Sequence, residues 1–158
     1  MTSWVPILTA FVAAFTASVG YFLTNRAKLV EERRSTYANA LMAVESYKNL
    51  PYRIRRRTDS QPSTRGTLGM LISDSERDLN YYMAFLELDS DDVSGRFRAL
   101  ATNARLKGTK ARAEAWEAPP VSEDSGMPFK DYFKYDDDHQ IEMCKTAMRK
   151  HLRLFRVQ

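Results

Sequence analysis

The sequence predicts an all-α protein in which a single N-terminal transmembrane helix continues into a cytoplasmic, antiparallel bundle of about four helices. Residues 1–24 contain no charged side chain, whereas charges are dense from Arg26 onward. Beyond that boundary apolar residues recur at helical spacing, and no segment alternates apolar and polar residues for long enough to indicate a strand. We therefore expect two parts, a transmembrane helix at residues 1–24 and a helical bundle at residues 25–158.

The apolar segment from Trp4 to Leu23 has the length of a membrane span, because twenty helical residues rise about 30 Å, the thickness of the hydrocarbon core. Trp4 and Tyr21 stand near its two ends, where amphipathic rings favour the headgroup zones. The alternatives are a cleavable secretory signal, which would begin with basic residues, and a buried core helix, which would rarely lie at an extreme terminus. The pattern favours insertion into a bilayer over both.

The flanking charges predict the orientation of the span. No Lys or Arg precedes it, and four basic residues follow it closely: Arg26, Lys28, Arg33 and Arg34. The positive-inside rule then places the N-terminus outside the cell membrane and the C-terminal part in the cytoplasm. The single cysteine, Cys144, agrees with a reducing compartment, since no intramolecular disulfide can form.

One side of the predicted span carries small residues. At 100° per residue an arc contains Ala10, Ala13, Ala14 and Ala17, with Gly20 on its edge. Small residues let helices approach closely in lipid, so this arc is a candidate contact face for a second span, from another copy or from a partner protein. The alternative is that alanine simply fills a tolerant helix.

The first helix of the bundle spans residues 25–49 and continues the transmembrane segment, since neither Gly nor Pro interrupts it. Residues 51–66, which contain Pro, Gly and several small polar residues, predict a loop. A second helix follows, beginning at Ser63 or Thr67 and ending near Leu88.

The third helix is expected at residues 91–116, with Gly108 as the point where it would break. A loop rich in Ser, Gly and Pro separates it from a fourth helix, which begins somewhere within residues 130–137 and ends near Phe155. Short connections between amphipathic helices make sequence neighbours antiparallel, so we expect an up-and-down bundle.

Two sets of basic residues are candidate binding surfaces. The first would lie at the far end of the first helix, where it either solvates a turn or grips phosphates or an acidic partner; it comprises Arg53, Arg55, Arg56 and Arg57. The second would lie near anionic headgroups; it comprises Arg26, Lys28, Arg33, Arg34, Lys145, Arg149, Lys150 and Arg153. The acidic turn at residues 89–92 is expected at the same level, neutralised by Arg26, Lys28 or the basic residues of the last helix.

The sequence contains no arrangement typical of catalysis. Five neighbouring residues have the types of a metal site: Asp136, Asp137, Asp138, His139 and Glu142. An acidic run at a helix start is, however, typical of capping, and no Glu-x-x-His partner accompanies it in a chain with only two histidines. His151 and Cys144 fall on the apolar seam of the last helix, as packed residues. We therefore expect no enzyme activity, no cofactor and no metal. The alternating charge blocks do not favour nucleic acid.

The sequence thus predicts a non-enzymatic, single-pass membrane protein. Its partners would be the bilayer and either another protein or further copies of the chain, bound through the span and the bundle. Two alternatives are an oligomerising membrane effector of the cell-suicide or phage-defence type, and an accessory subunit of a membrane complex.

Overall fold

The computed structural model of the protein describes residues 5–121 and 132–157. These residues form helices and contain no strand, so the all-helical prediction is confirmed. In chain order the helices are α1 (Val5–Lys48), the short α2 (Leu50–Arg55), α3 (Pro62–Asp89), α4 (Asp91–Glu117) and α5 (Asp138–Val157).

Helix α1 runs from Val5 to Lys48 without interruption. The prediction that the first bundle helix continues the apolar segment is therefore confirmed. A helix of 44 residues extends about 66 Å. Among the residues whose side chains the structure describes, which in α1 begin at Thr16, no helix is long and apolar enough to cross a membrane.

The predicted loop at residues 51–66 is wrong in part, because both of its prolines begin helices. Pro51 lies in the first turn of α2, and Pro62 lies in the first turn of α3. The fixed φ of proline suits the first helical turn, and its missing N–H is no loss there, since that N–H would have no acceptor within the helix. The connection between α2 and α3 therefore shortens to residues 56–61.

Helix α4 continues through Gly108, where the sequence suggested a break. A Cβ atom at this position would lie 2.8 Å from Cε1 of Tyr47 and 3.4 Å from the hydroxyl oxygen of Tyr135. Gly108 therefore lets α4 approach the fully buried ring of Tyr47 on α1. Close packing of the two helices offsets the helix-propensity penalty of glycine, which is about 1 kcal/mol.

Contacts at both ends of the helix pairs show the up-and-down order. Lys48, the last residue of α1, lies with Nζ 3.0 Å from Oδ2 of Asp137, which directly precedes α5. At the opposite end of the same pair, Arg26 of α1 donates to the carbonyl oxygen of Phe155 in α5. The antiparallel order of α3 and α4 is shown by two ion pairs, Glu76–Arg112 and Glu87–Arg98.

Helices α1 and α4 form the centre of the bundle. Each packs against the other and against both remaining long helices, whereas in the described part of the chain the backbones of α3 and α5 do not pack together, and their side chains meet at Asp89 and His151. The main core includes Tyr37, Ala40, Val44, Tyr47, Leu79, Leu86, Phe97, Leu100, Cys144 and Met148. A smaller cluster includes Ile54, Leu68, Ala111, Ala115, Phe133 and Tyr135.

The bundle has two ends with different surroundings. We call the end that holds Arg26, Asp89 and Phe155 the base, and the end that holds the smaller apolar cluster the tip. Helix α1 extends beyond the base, where Tyr21, Phe22 and Leu23 are exposed by 72, 62 and 58 %. The base is therefore the end from which the charge-free segment emerges.

Candidate functional site

A half-buried polar network joins three helices at the base. Nε of Arg33 and the hydroxyl of Tyr37, both on α1, donate to the two carboxylate oxygens of Asp89 at 3.0 and 2.7 Å. The same hydroxyl oxygen lies 2.5 Å from Nδ1 of His151 on α5. The side chains of Asp89 and His151 are only 11 and 14 % exposed. The network thus links α1, α3 and α5 close to the point where the charge-free segment leaves the bundle.

The ionised state of Asp89 decides which groups donate in this network. Burial opposes ionisation of this carboxyl, but hydrogen bonds from Tyr37 and Arg33 outweigh burial and hold the pKa of Asp89 below its ordinary value. A carboxylate only accepts, so the Tyr37 hydroxyl gives its proton to that bond, and its oxygen accepts from Nδ1–H of His151. Burial and the bond to Asp89 raise the pKa of Tyr37, which keeps this hydroxyl protonated.

The network changes the roles expected for three residues. Arg33 was predicted to lie near headgroups, but its guanidinium pairs with Asp89 and stacks 4.0 Å from the ring centroid of Phe155. The charge of Asp89 is neutralised by this contact, whereas the sequence suggested other basic residues. His151 was predicted to be a packed residue of the apolar seam; it does pack against Phe155, and it is also a hydrogen-bonding member of the network. Since its hydrogen bonds join residues that are 52 to 114 positions apart, local sequence patterns carry no signal for it.

The remaining basic residues predicted near the membrane differ in exposure. Arg26 is half-buried and donates to a backbone carbonyl of α5. Arg34 and Lys145 form ion pairs within their own helices, at 3.9 and 2.8 Å. Arg34 is exposed, and so are four others: Lys28, Arg149, Lys150 and Arg153. The predicted set therefore contains both half-buried and exposed residues, and the exposed ones lie on α1 and on the outer side of α5.

Three large apolar side chains are exposed along α3, in the half of the helix nearer the base. Tyr81, Phe85 and Leu88 are exposed by 58, 38 and 91 %. Their spacing of four and three residues places them in one stripe of a helix. The ring centroids of Tyr81 and Phe85 are 6.2 Å apart. We call these three residues the apolar face of α3; the helical periodicity of the sequence did not separate them from the buried stripe beside them.

The four arginines predicted to form a basic tip do not share one environment. Arg53 and Arg56 are exposed, whereas Arg55 is half-buried and donates to a backbone carbonyl at 2.9 Å. Arg57 is buried. Its guanidinium donates at 2.5 to 3.1 Å to the carbonyl oxygens of Ile54, Ala115, Trp116 and Ala118.

Arg57 therefore acts as a structural cap. Three of its four carbonyl partners lie at the end of α4. The last carbonyl groups of a helix accept no hydrogen bond from the N–H groups of that helix, so they need another donor. A cation at a helix C-terminus also interacts favourably with the helix dipole. The interpretation of residues 53–57 as a uniform solvated cluster is therefore wrong for Arg57.

Residues 132–137 lie across the tip and help to line a groove of about 740 Å³. At its wall Nζ of Lys48 lies 3.0 Å from Asp137 and 2.9 Å from Glu45. Burial disfavours the charge of Lys48, but its hydrogen bonds to Glu45 and Asp137 outweigh burial and raise its pKa. The ammonium group of Lys48 is thus held between two carboxylates at this wall.

Helix α5 begins directly after Asp137, whose backbone carbonyl oxygen accepts from the N–H of Ile141 at 2.9 Å. In the described ranges, no group of three His, Cys, Asp or Glu side chains is arranged to hold a metal ion. Cys144 is a free, buried cysteine, and burial raises the pKa of its thiol to about 11.

The small face predicted on the span falls largely outside the side chains that the structure describes. This applies to Ala10, Ala13, Ala14 and Ala17, although the backbone of all four belongs to α1. Gly20 is described and exposed, and a Cβ atom there would meet no atom within 4 Å. The face therefore stays a prediction.

Comparison with known proteins finds no relative of this chain. No family model matches it, and no curated protein or solved structure shows significant similarity. The function proposed next therefore rests on the physical properties of the chain itself.

Proposed function

We propose that this chain is a non-enzymatic, single-pass protein of the cell membrane, with its N-terminus outside and its helical bundle in the cytoplasm, and that the bundle assembles with further copies of itself. The observation that carries the proposal is the continuity of α1. This helix joins the charge-free residues 5–24 directly to the bundle.

The proposed anchor is supported by what lies beyond the base. Tyr21, Phe22 and Leu23 are large apolar side chains that the bundle does not cover. Exposure of apolar surface to water costs about 25 cal/mol per Å², and lipid removes this cost. The first charge, Arg26, follows directly, and basic residues on that side favour the cytoplasm.

The proposed self-association follows from the anchor and from the apolar face of α3. Copies anchored in one membrane share orientation and height, so a face on one copy meets the same face on another at the same level. Leu88 adjoins Asp89, which contacts Arg33, and Arg33 lies about 14 Å along α1 from Thr24. The small residues predicted on the span would bring two copies together below this face.

The anchor is tested by membrane extraction and by topology. We expect the full chain to stay with membranes in alkaline carbonate, because an inserted helix resists that treatment. A reporter fused after Gln158 should be active only in the cytoplasm. Release by carbonate would contradict insertion, and an external reporter signal would contradict the orientation.

Self-association of the bundle is tested with a matched pair of exposed leucines. Leu88→Gln removes the most exposed member of the apolar face of α3, whereas Leu106→Gln makes the same change on α4, where the leucine is 75 % exposed. Cross-linking of the full chain in membranes should fall for Leu88→Gln and stay unchanged for Leu106→Gln. An equal effect of the two changes, or no effect of either, would contradict self-association through the apolar face of α3.

The contribution of the span is tested separately. Ala13→Leu combined with Ala17→Leu adds bulk to the predicted contact face, while Phe15→Leu changes the opposite side. Each change keeps the segment apolar, so insertion should survive. A transmembrane association reporter should lose signal only for the double variant. If that variant associates like the parent, the span is a tether and not a contact surface. Depolarisation of cells on expression would instead favour the membrane-effector alternative.

A further inference from the structure

We propose that the basic outer face of α5, formed by Arg149, Lys150 and Arg153, binds the anionic phospholipid headgroups of the membrane in which the chain is anchored, with Leu154 at its lower end entering the interface. This inference rests on the proposed anchor and adds a lipid class to it. It holds the bundle in one orientation above the bilayer.

The first argument is the distance of each helix end at the base from the charge-free segment. Phe155 of α5 contacts Arg26 and Arg33 on α1, whereas Asp89, at the end of α3, reaches only as far as Arg33. Arg26 and Arg33 are seven residues apart, which is about 10 Å along a helix. Helix α5 therefore descends closer to the charge-free segment than the turn between α3 and α4 does.

The charges of these two ends differ in sign. The first turn of α4 carries Asp91 and Asp92 as exposed residues, which an anionic surface repels. The last turns of α5 carry Arg149, Lys150 and Arg153 as exposed residues, with no acidic residue after Glu142. The part of the bundle that lies lowest is thus the part that an anionic membrane attracts.

An exposed apolar residue stands next to these charges. Leu154 is 59 % exposed at the lower end of α5. Basic side chains with an adjacent apolar residue are typical of helices that contact a membrane interface. The interface accepts this leucine beside Arg153, whose long side chain reaches towards the headgroups.

The distances predict an order of importance within α5. Phe155 lies at about the level of residues 29–30, which is about 8 Å above Thr24, so Arg153 lies at about 11 Å, Arg149 and Lys150 at about 16 Å and Lys145 at about 23 Å. A headgroup layer occupies about 5–8 Å, and the Debye length at physiological ionic strength is about 8 Å. Arg153 therefore reaches the headgroups, and Lys145 lies beyond effective attraction.

The test uses the full chain in nanodiscs of phosphatidylcholine, with and without phosphatidylglycerol. Backbone amide exchange of residues 149–157 reports contact of α5, and exchange of residues 5–24 reports the anchor. We expect phosphatidylglycerol to slow exchange at the end of α5 and high salt to abolish the difference. Arg153→Gln should reduce the lipid-dependent protection about fivefold, as one basic residue at an anionic surface predicts.

Two variants control for charge and folding. Lys145→Gln removes one charge higher on the same helix and should leave the effect unchanged, while Arg153→Lys should keep most of it. Amide protection around Cys144 in the core shows that each variant is folded. An effect of Lys145→Gln equal to that of Arg153→Gln would contradict the height argument and overturn the inference.

The exchange data also separate this inference from the anchor. If residues 5–24 are protected in both lipids while α5 exchanges equally in both, the inference is overturned and the anchor stands. If residues 5–24 exchange freely in both lipids, the anchor itself fails, and the inference fails with it.

Discussion

Replacement of Gly108 by alanine tests whether the contact between α1 and α4 is as close as the structure shows. The new Cβ atom would lie 2.8 Å from Cε1 of Tyr47, well inside ordinary van der Waals contact. The ring of Tyr47 is fully buried and stacks with Arg112, whose guanidinium carbon lies 4.9 Å from the ring centroid. The ring therefore has little room to move away.

Two opposing free energies determine the result. Alanine gains about 1 kcal/mol over glycine in a helix interior. Overpacking of a well-packed core costs about 1–3 kcal/mol, and a rigid aromatic neighbour favours the upper part of that range. We expect Gly108→Ala to lower the free energy of unfolding by about 1–2 kcal/mol.

Gly95→Ala is the matched control, because Gly95 lies in the same helix and a Cβ atom there meets no atom within 4 Å. It should raise the free energy of unfolding by about 1 kcal/mol. The two variants should thus differ by about 2–3 kcal/mol, or roughly 4–12 °C in the midpoint of thermal unfolding for a domain of this size. The assay is far-ultraviolet circular dichroism of the full chain in detergent, with all variants under one condition.

A double variant identifies the source of the strain. Tyr47→Leu removes the atom that the new Cβ would meet, so Gly108→Ala should become less harmful, or favourable, in that background. If Gly108→Ala stabilises the wild-type chain as Gly95→Ala does, the reasoning is refuted, and Gly108 is only a weak helix former.

Three further predictions concern the tip, the core and the base. Arg57→Gln should lower the free energy of unfolding by about 2–4 kcal/mol in chemical denaturation, because it leaves buried carbonyl groups of α4 unsatisfied, whereas Arg53→Gln should change it by under about 0.5 kcal/mol. The Cys144 thiol should resist alkylation at pH 8 in the folded chain and react readily in urea, since its pKa of about 11 leaves little thiolate; fast native labelling would contradict its burial. Because the folded pKa of Asp89 is depressed, its contribution to stability should be present above about pH 4 and be lost as the pH falls through the folded pKa. In urea titrations at several pH values, Asp89→Asn should weaken this loss of stability in acid. The same pH dependence in the variant and the wild-type chain would contradict the network.

The fold class could be predicted from local sequence properties. Helical periodicity depends on residues within one or two turns of each other, and the charge boundary at Arg26 depends on composition alone. Both are therefore readable without knowledge of packing. The bounds of α4 were predicted within one residue for the same reason, with Asp91 near an N-cap Ser90 whose hydroxyl accepts from the N–H of Val93.

Residues with two physical roles could not be assigned locally. Proline ends a helix by its missing N–H and begins one by its fixed φ, and only the structure shows that Pro51 and Pro62 begin helices. The sequence suggests a helix break at Gly108 because helix propensity is a property of the single residue. The close approach to Tyr47, which makes glycine necessary there, joins residues far apart in the chain.

The helical class of the chain and the position of its first charge follow from the sequence, because both depend on neighbours along the chain. Which of several chemically identical residues is buried follows only from how the helices pack. Arg53 and Arg57 are both arginines of the same basic run, yet Arg57 is buried against the end of α4 and Arg53 is exposed to water. Arg33 likewise turns inward because α3 brings Asp89 against it, 56 residues away, and charge pairing over such a separation is set by the packing of helices and not by their order.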